Sequence, residues 1–330
     1  MSLINVDLLT LATGGANYLA SIYASIKASN EGIGFLSYHP SFSNVIGPKP
    51  TARKLADLPY EAFHEGGVYN KADNTMYISA NLVSGQTPIS MTKLSLSDYS
   101  ITSTQFPGLV MANGGSSYYP PRADRSSTPS LQVWCDQGNL ETYGQLVAVD
   151  VNTNKTTPLV VSYQGRNFSS LNDVRQHPIT GDLWFTDPDY GHMQKFRNAP
   201  QLPRHVYRFE PATGNIHVVA DGFAKVNGLE FSPDYKTLYV SDTGAQLTSF
   251  DPTGPTTIYA YDIVNNKQLS NKRVFAFADS GFPDGIHTDT DGNVWAGCGD
   301  GLHIWNPEGT LVGKIYVGET SNNFAFAPGK

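Results

Sequence analysis

The sequence predicts an all-β protein: a six-bladed β-propeller of four-stranded blades, the sixth blade incomplete. Three observations predict it. First, hairpin-like segments recur: "HEGGVYNKADNTMYISA" from His64, "LNDVRQHPITGDLWFTD" from Leu171, "VNGLEFSPDYKTLYVSD" from Val226 and "PDGIHTDTDGNVWAGC" from Pro283. A looser copy with an insertion starts at Ala112. Each has a polar start, a short apolar alternation, a turn rich in Asp, Asn, Pro or Gly, and a second alternation. Second, two more strand-like runs follow the later copies, such as "HVYRFEP" with "IHVVADG" and "LHIWNPEG" with "LVGKIYV". Third, 31 Gly and 21 Pro accompany 18 Tyr and 16 Phe, the composition of short strands joined by tight turns.

Taken in order, residues 1–48 form a lead-in that packs on the propeller, and residues 49–330 form the propeller. Within the lead-in, "GANYLASIYASIKASN" has helical spacing, with Asn30 and Gly32 as its stop, and "GFLSYHPSFSNVIG" reads as loop. The segment "TARKLADLPYEAF" before the first unit has the pattern of a last blade strand. Unit starts fall at Glu65, Asn113, Asn172, Asn227 and Asp284, with a sixth in "SNNFAFAP" from Ser321. The sixth unit stops after its first strand. Ring closure by the N-terminal side is therefore expected, because an open ring leaves exposed edges. Either residues 1–48 make up for the strands that the sixth unit lacks, or the sequence is a truncated one.

The net charge of −7 offers no basic footprint for nucleic acid, and no run of 18 apolar residues could span a membrane. Cys135 and Cys298 read as buried thiols, which points to a reducing compartment. The N-terminus lacks a basic leader. A cytoplasmic location is expected for the chain as given, and a secreted one if a signal peptide has been removed. Nothing in the composition marks an oligomeric interface.

The chemistry lies at the unit starts. In a propeller the first strand of each blade lines the central channel, so residues at its mouth converge. Here they are Glu65, Asn113, Asn172, Asn227, Asp284 and Asn323, all oxygen-bearing. Two buried carboxylates need positive compensation. One divalent cation answers that need, and an oxygen-only set favours Ca²⁺, with Mg²⁺ or Mn²⁺ as alternatives. Glu65 and Asp284 would balance its charge, while Asn172 and Asn227 would add neutral carbonyl oxygens. The bland reading is that each is only a turn former; agreement in register across repeats argues against it.

Other polar residues lie near this ring. His64, His192 and His287 lack zinc-site spacing and are read as pocket or hydrogen-bonding groups. Strand alternation places His287 on the face opposite Asp284. Asp173 either fixes the start of its strand or belongs to the site. Asp187 and Asp242 end second strands, where they steady the ring, reach a substrate or serve only as turn residues.

These motifs together resemble the gluconolactonase family, which includes senescence marker protein 30. They are "FHEGGVYN", "SLNDV…GDLWFTDPDYG", "NGLEFSPDYKTLYVSDTG" and "PDGIHTDTDGNVWAGCGDGLHIWNPEGTLVGKI", in that order between Phe63 and Phe326. The likeness is strongest to fungal lactonohydrolases that open aldonolactones and pantolactone. The resemblance implies a six-bladed propeller with a divalent metal, often calcium, held by Glu65, Asn172, Asn227 and Asp284, with Asp284 as general base. It implies a small lactone as partner, hydrolysed to the hydroxy acid. Asn113, His64, Asp173, His192 and Asp242 are then the candidate substrate contacts. Where animal members carry a sugar-contacting Arg, this chain has Ser170, and the insertion from Ser116 to Ser130 is expected to form part of a lid. No Gly-x-Ser-x-Gly elbow is present, which disfavours a serine hydrolase. Two other readings use the same ring: a metal-dependent hydrolase or isomerase tailoring a fungal secondary metabolite, or a non-catalytic ligand-binding propeller.

Overall fold

The computed structural model describes residues 3–29, 32–81, 89–126, 128–129, 131–246 and 249–328. Five antiparallel four-stranded blades follow one another, each running outward from an inner strand. The inner strands are Glu65–Asn70, Ala112–Tyr118, Val174–Gln176, Val226–Phe231 and Ile286–Thr288, and sequential ones touch. The architecture is the all-β propeller that the repeats predict, with five blades among the described residues and not six.

The expected sixth start does take a place in the ring, but not as a strand. Ser321 N–H donates to Cys298 O (3.0 Å) and Gly285 N–H to Asn322 O (2.8 Å), which ties the segment to blade five. Asn323 Nδ2 donates to Glu65 Oε2 (2.6 Å), which ties it to blade one. The five complete units each had strand patterns to follow the first; this one has none, so no ladder forms beyond it. "TARKLADLPYEAF" forms no strand either. It runs beside blade one, where Thr92 Oγ1 donates to Ala62 O (2.6 Å).

The lead-in docks on blade five, both at its outer edge and on the face turned away from blade four, where Phe42, Val45 and Ile46 pack with Trp295, Ile304 and Val312. Gly34–Ser37 pairs antiparallel with Leu311–Tyr316, and Leu3–Asn5 pairs parallel with Gly34–Ser37, so both extend the outer edge of blade five. Strand addition there covers an edge that would otherwise expose a row of unpaired backbone groups. The segment read as loop thus holds a strand and a short helix, Phe42–Ile46. The expected helix is present as α1, Leu8–Lys27, capped by Asp7 accepting from Thr10 N–H (2.6 Å) and kinked at Gly15. Its expected stop at Asn30 lies outside the described residues. Ile22, Tyr23 and Ile26 pack on Leu36, Tyr38 and Tyr316. No helix among the described residues is long and apolar enough to cross a membrane.

Between blades the cores are apolar and continuous. Trp134 and Val147 of blade two pack on Val68 and Tyr77 of blade one, and Phe185 and Tyr207 of blade three pack on Val133 and Leu146 of blade two. Cys135 and Cys298 are free, buried thiols.

The insertion expected to form a lid sits at the other end of the propeller. Its Tyr119 exchanges hydrogen bonds with Gln176 (2.8 Å each), and Arg125 donates to Pro178 O. Those residues end the inner strand of blade three and begin its turn, whereas the ring lies at that strand's start. Ser127 and Ser130 of the insertion lie outside the described residues.

Candidate active site

Backbone packing at the channel mouth explains the glycine that follows Asn113 and Asn227. A Cβ on Gly228 would lie 2.6 Å from Asp284 O, and one on Gly114 would lie 2.6 Å from Asn172 O. Glycine there lets each inner strand approach the next closely enough for the ring side chains to meet. Gly114 N–H donates to Asn172 O (2.7 Å). Ser241 Oγ donates to Asp284 O (2.9 Å), and Asp284 N–H donates to Gly297 O (2.9 Å), so the backbone of Asp284 is held independently of its carboxyl.

Glu65, Asn113, Asn172, Asn227 and Asp284 are all buried. The Glu65 and Asp284 carboxyls lie within hydrogen-bonding reach of each other. Asn172 Oδ1, Asn227 Oδ1 and Asp284 Oδ1 are buried acceptors with no hydrogen-bond partner. Each such orphan costs about 1–3 kcal/mol. Two carboxylates with two amide carbonyls form an oxygen-only donor set that fits a hard divalent cation. Among the described residues no group of three His, Cys, Asp or Glu could hold a metal; this ring contains only two carboxylates, its other oxygens being amides.

Burial pushes the Glu65 carboxyl well up, and the charge of Asp284 pushes it further. Burial also raises Asp284, against hydrogen bonds from Glu65 and Asn227. A carboxyl raised in the folded state stabilises the fold below its unfolded value and loses that contribution as pH climbs through the folded value. With cations chelated, stability is therefore expected to fall as pH rises from about 4, the ordinary carboxyl value, through neutrality. Thermal melts in chelator at several pH values between those limits test this. Glu65→Gln should flatten the dependence; an unchanged slope in that variant would remove the pair as its source.

Of the other expected contacts, Asn113 is a brace: its Nδ2 donates to Asn172 O (3.0 Å) and its Oδ1 accepts from Gln137 (3.3 Å). Asp242 is not a channel group. Its carboxylate accepts the N–H groups of Ala224 (3.0 Å), Lys225 (2.7 Å) and Gly244 (3.2 Å). Asp187 likewise accepts from Ser169 and Ser170, and Asp136 from Val110 and Met111, so the three anchor the chain entering their inner strands. His192 is exposed on a one-turn helix, Tyr190–Met193, and no hydrogen bond joins its side chain to the ring. His64 does line a space beside the ring, a cavity of about 260 Å³ shared with Glu65, Asn323, Met76, Leu94 and Phe324. Burial lowers its imidazole to about 4, and its Nδ1 faces Asn322 Nδ2 (2.9 Å). Ser170 is buried and its hydroxyl is spent on Pro188 O (3.1 Å) and Gly191 N–H (3.0 Å).

A second charged layer lies three residues farther along the inner strands. Arg175 donates to Asp173 (2.8 Å) and Glu230 (2.9 Å), and His287 Nδ1 lies 3.2 Å from Glu230 and 3.4 Å from Arg175. Alternation would have sent His287 away from this interior. It does not hold because Asp284 N–H and Gly285 O both pair with the single residue Gly297, so one extra residue sits at the start of this inner strand; comparable slips occur between Gly66 and Val68, Ala112 and Gly115, and Val226 and Leu229. A bulge at a strand start lets positions three apart face the same way. Asp173 belongs to this layer: Oδ1 meets Arg175 and Val174 N–H, and Oδ2 meets Leu229 N–H (3.4 Å). Burial raises Asp173 in spite of Arg175, whereas for Glu230 the charges of Arg175 and His287 outweigh burial and hold it low. The aligned fourth residues of "NDVR", "NGLE" and "DGIH" are the signal that could have revealed this layer. Tyr190 was also unforeseen: its hydroxyl accepts from Asn227 Nδ2 (3.0 Å).

Fold and site together define a β-propeller that gathers buried carboxylate and amide oxygens at one end of its axis. The description of an SMP-30/gluconolactonase/LRE-like region matches residues 101–330. The chain belongs to that family. It is 31% identical over 314 residues to the lactonohydrolase oryL of Aspergillus oryzae, covering 89% of this chain and 70% of that protein. It is 31% identical over 198 residues to a gluconolactonase of Zymomonas mobilis, covering 57% of this chain and 52% of that protein. Among solved structures, a gluconolactonase from Xanthomonas campestris superposes with a TM-score of 0.70 at 25% identity, covering 88% of this chain and 87% of that one.

Proposed function

We propose that the protein hydrolyses a small lactone to its hydroxy acid at this ring. The observation that carries the reading is the trio of orphaned oxygens on Asn172, Asn227 and Asp284 beside the Glu65 carboxyl. Family membership, with matched relatives named as a lactonohydrolase and a gluconolactonase, supports the reaction class. Glu65, Asn172, Asn227 and Asp284 would hold one divalent cation, Ca²⁺ ahead of Mg²⁺ or Mn²⁺. When bound, such a cation supplies Lewis acidity toward the lactone carbonyl.

The side chains do the rest. Asp284 would share its carboxylate between holding the cation and accepting a proton from the attacking water. Water adds to the acyl carbon, the ring C–O bond breaks, and the proton on Asp284 passes to the departing ring oxygen. Asn113 keeps the ring in shape. His64 is the remaining candidate for touching the substrate, from the cavity wall. That wall is mostly apolar, with Phe63, Met76, Ile78, Leu94 and Phe324, and Ser170 offers nothing to a sugar. A compact, partly apolar lactone of the pantolactone type therefore suits the space better than a polyhydroxylated aldonolactone.

Acid release from a panel of lactones, measured before and after chelation and on return of Ca²⁺, Mg²⁺ or Mn²⁺, tests the reading. Chelation is expected to remove activity and one of the ions to restore it. Activity indifferent to chelator would remove the cation from the scheme. Ligand binding without acid release from any lactone would leave a binding propeller.

A further inference from the structure

Asn227 can present either end of its amide to the ring, since oxygen and nitrogen have nearly the same shape. The direction is set from outside the propeller strands. Asn227 Nδ2 donates to Tyr190 Oη (3.0 Å), Tyr190 Oη bonds to Thr243 Oγ1, and Thr243 Oγ1 donates to Lys225 O (3.3 Å). Lys225 O is a carbonyl and can only accept. Thr243 must therefore spend its proton on Lys225 O and accept from Tyr190. Tyr190 then spends its proton on Thr243 and has a lone pair, not a proton, for Asn227. The amide nitrogen is drawn to Tyr190, its second proton can serve the Asp284 carboxylate, and Oδ1 is left buried with no partner.

We propose that Tyr190 and Thr243 are positioning residues that orient Asn227 as an oxygen donor toward a divalent cation. This rests on the proposed cation-bound reading of the ring. The chain is polar and fully buried: Tyr190 is 7% exposed, Thr243 0% and Asn227 3%. It spans three places in sequence, the short helix after blade three's second strand, the inner strand of blade four and the turn after that blade's second strand. None of the three residues needs the others for the propeller ladders, since no ladder bond runs through their side chains. The sulfur of Met193 and the ring of Tyr190 both lie against the Lys225 ammonium, so the helix is held in place by more than the hydroxyl.

The test is Ca²⁺ titration of the full chain, stripped of metal by chelator, followed by calorimetry and by the Ca²⁺-induced rise in melting temperature. Tyr190→Phe keeps the ring and removes the acceptor. It is expected to weaken Ca²⁺ binding roughly 10–100-fold, the usual effect of removing a group that orients a ligand. Thr243→Val, which frees the Tyr190 proton to compete for Oδ1, should weaken binding in the same direction, and Thr243→Ser should restore it. Melting in chelator reports the fold separately: the weakening must appear in variants whose metal-free melting temperature matches the wild type, and Thr243→Val supplies that comparison if Tyr190→Phe does not. Wild-type affinity in both Tyr190→Phe and Thr243→Val would overturn the proposal and leave the lactonase reading standing. A wild type that binds no Ca²⁺, Mg²⁺ or Mn²⁺ would overturn both.

Discussion

Asp284→Ala is expected to lower lactone hydrolysis by about 10²–10⁴-fold, the range for losing a general base, and by more if the cation site goes with it. The fold should persist. Asp284 is anchored through its backbone, N–H to Gly297 O and carbonyl to Ser241 Oγ, and neither bond uses the carboxyl. Removing one of two facing buried carboxyls also relieves the burial and repulsion that raise Glu65. Metal-free melting temperature should therefore hold or rise while turnover collapses. Kinetics at saturating substrate beside a melting curve in chelator separate the two effects. Full turnover in the variant would sink the assignment of Asp284.

The second large effect is on stability. Arg175→Met should destabilise the fold by about 3–5 kcal/mol, because removing one partner leaves buried charges uncompensated. Arg175 is the cation between Asp173 and Glu230, and its side chain is 9% exposed. Methionine fills much of the same space but offers neither carboxylate a donor. A triple variant, Arg175→Met with Asp173→Asn and Glu230→Gln, should recover a large part of the loss, since no charge is then stranded. Denaturant midpoints of the two variants give the comparison. An Arg175→Met variant as stable as wild type would show that the second layer is solvated and contributes little.

How much of this was readable in advance varies from residue to residue. Glu65, Asn172, Asn227 and Asp284 were legible because a repeated hairpin puts equivalent residues at equivalent places, and their chemical type survived the repeat. Asp242 was placed wrongly because an Asp at the end of a second strand carries the same letter whether it faces a channel or the backbone of its own blade. Two of its three N–H partners, on Ala224 and Lys225, come from a segment that only folding brings beside it. His287 was sent to the wrong face because alternation assumes an unbroken strand, and the inner strands begin with a slip. The supposed lid was misplaced for a simpler reason: an insertion after an inner strand emerges at that strand's far end, away from its start.

By itself, the sequence determined the all-β propeller architecture, the helical lead-in and the ring of oxygen-bearing starts. Those follow from local periodicity and turn chemistry, which need no knowledge of what lies across space. The tertiary structure alone decided that five blades form among the described residues, that residues 3–5 and 34–37 extend blade five, that Arg175 joins Asp173 to Glu230, and that the Asn227 amide meets the Tyr190 hydroxyl. Edge pairing, buried charge compensation and the direction of an amide are settled by partners remote in the chain, so no local pattern carries them.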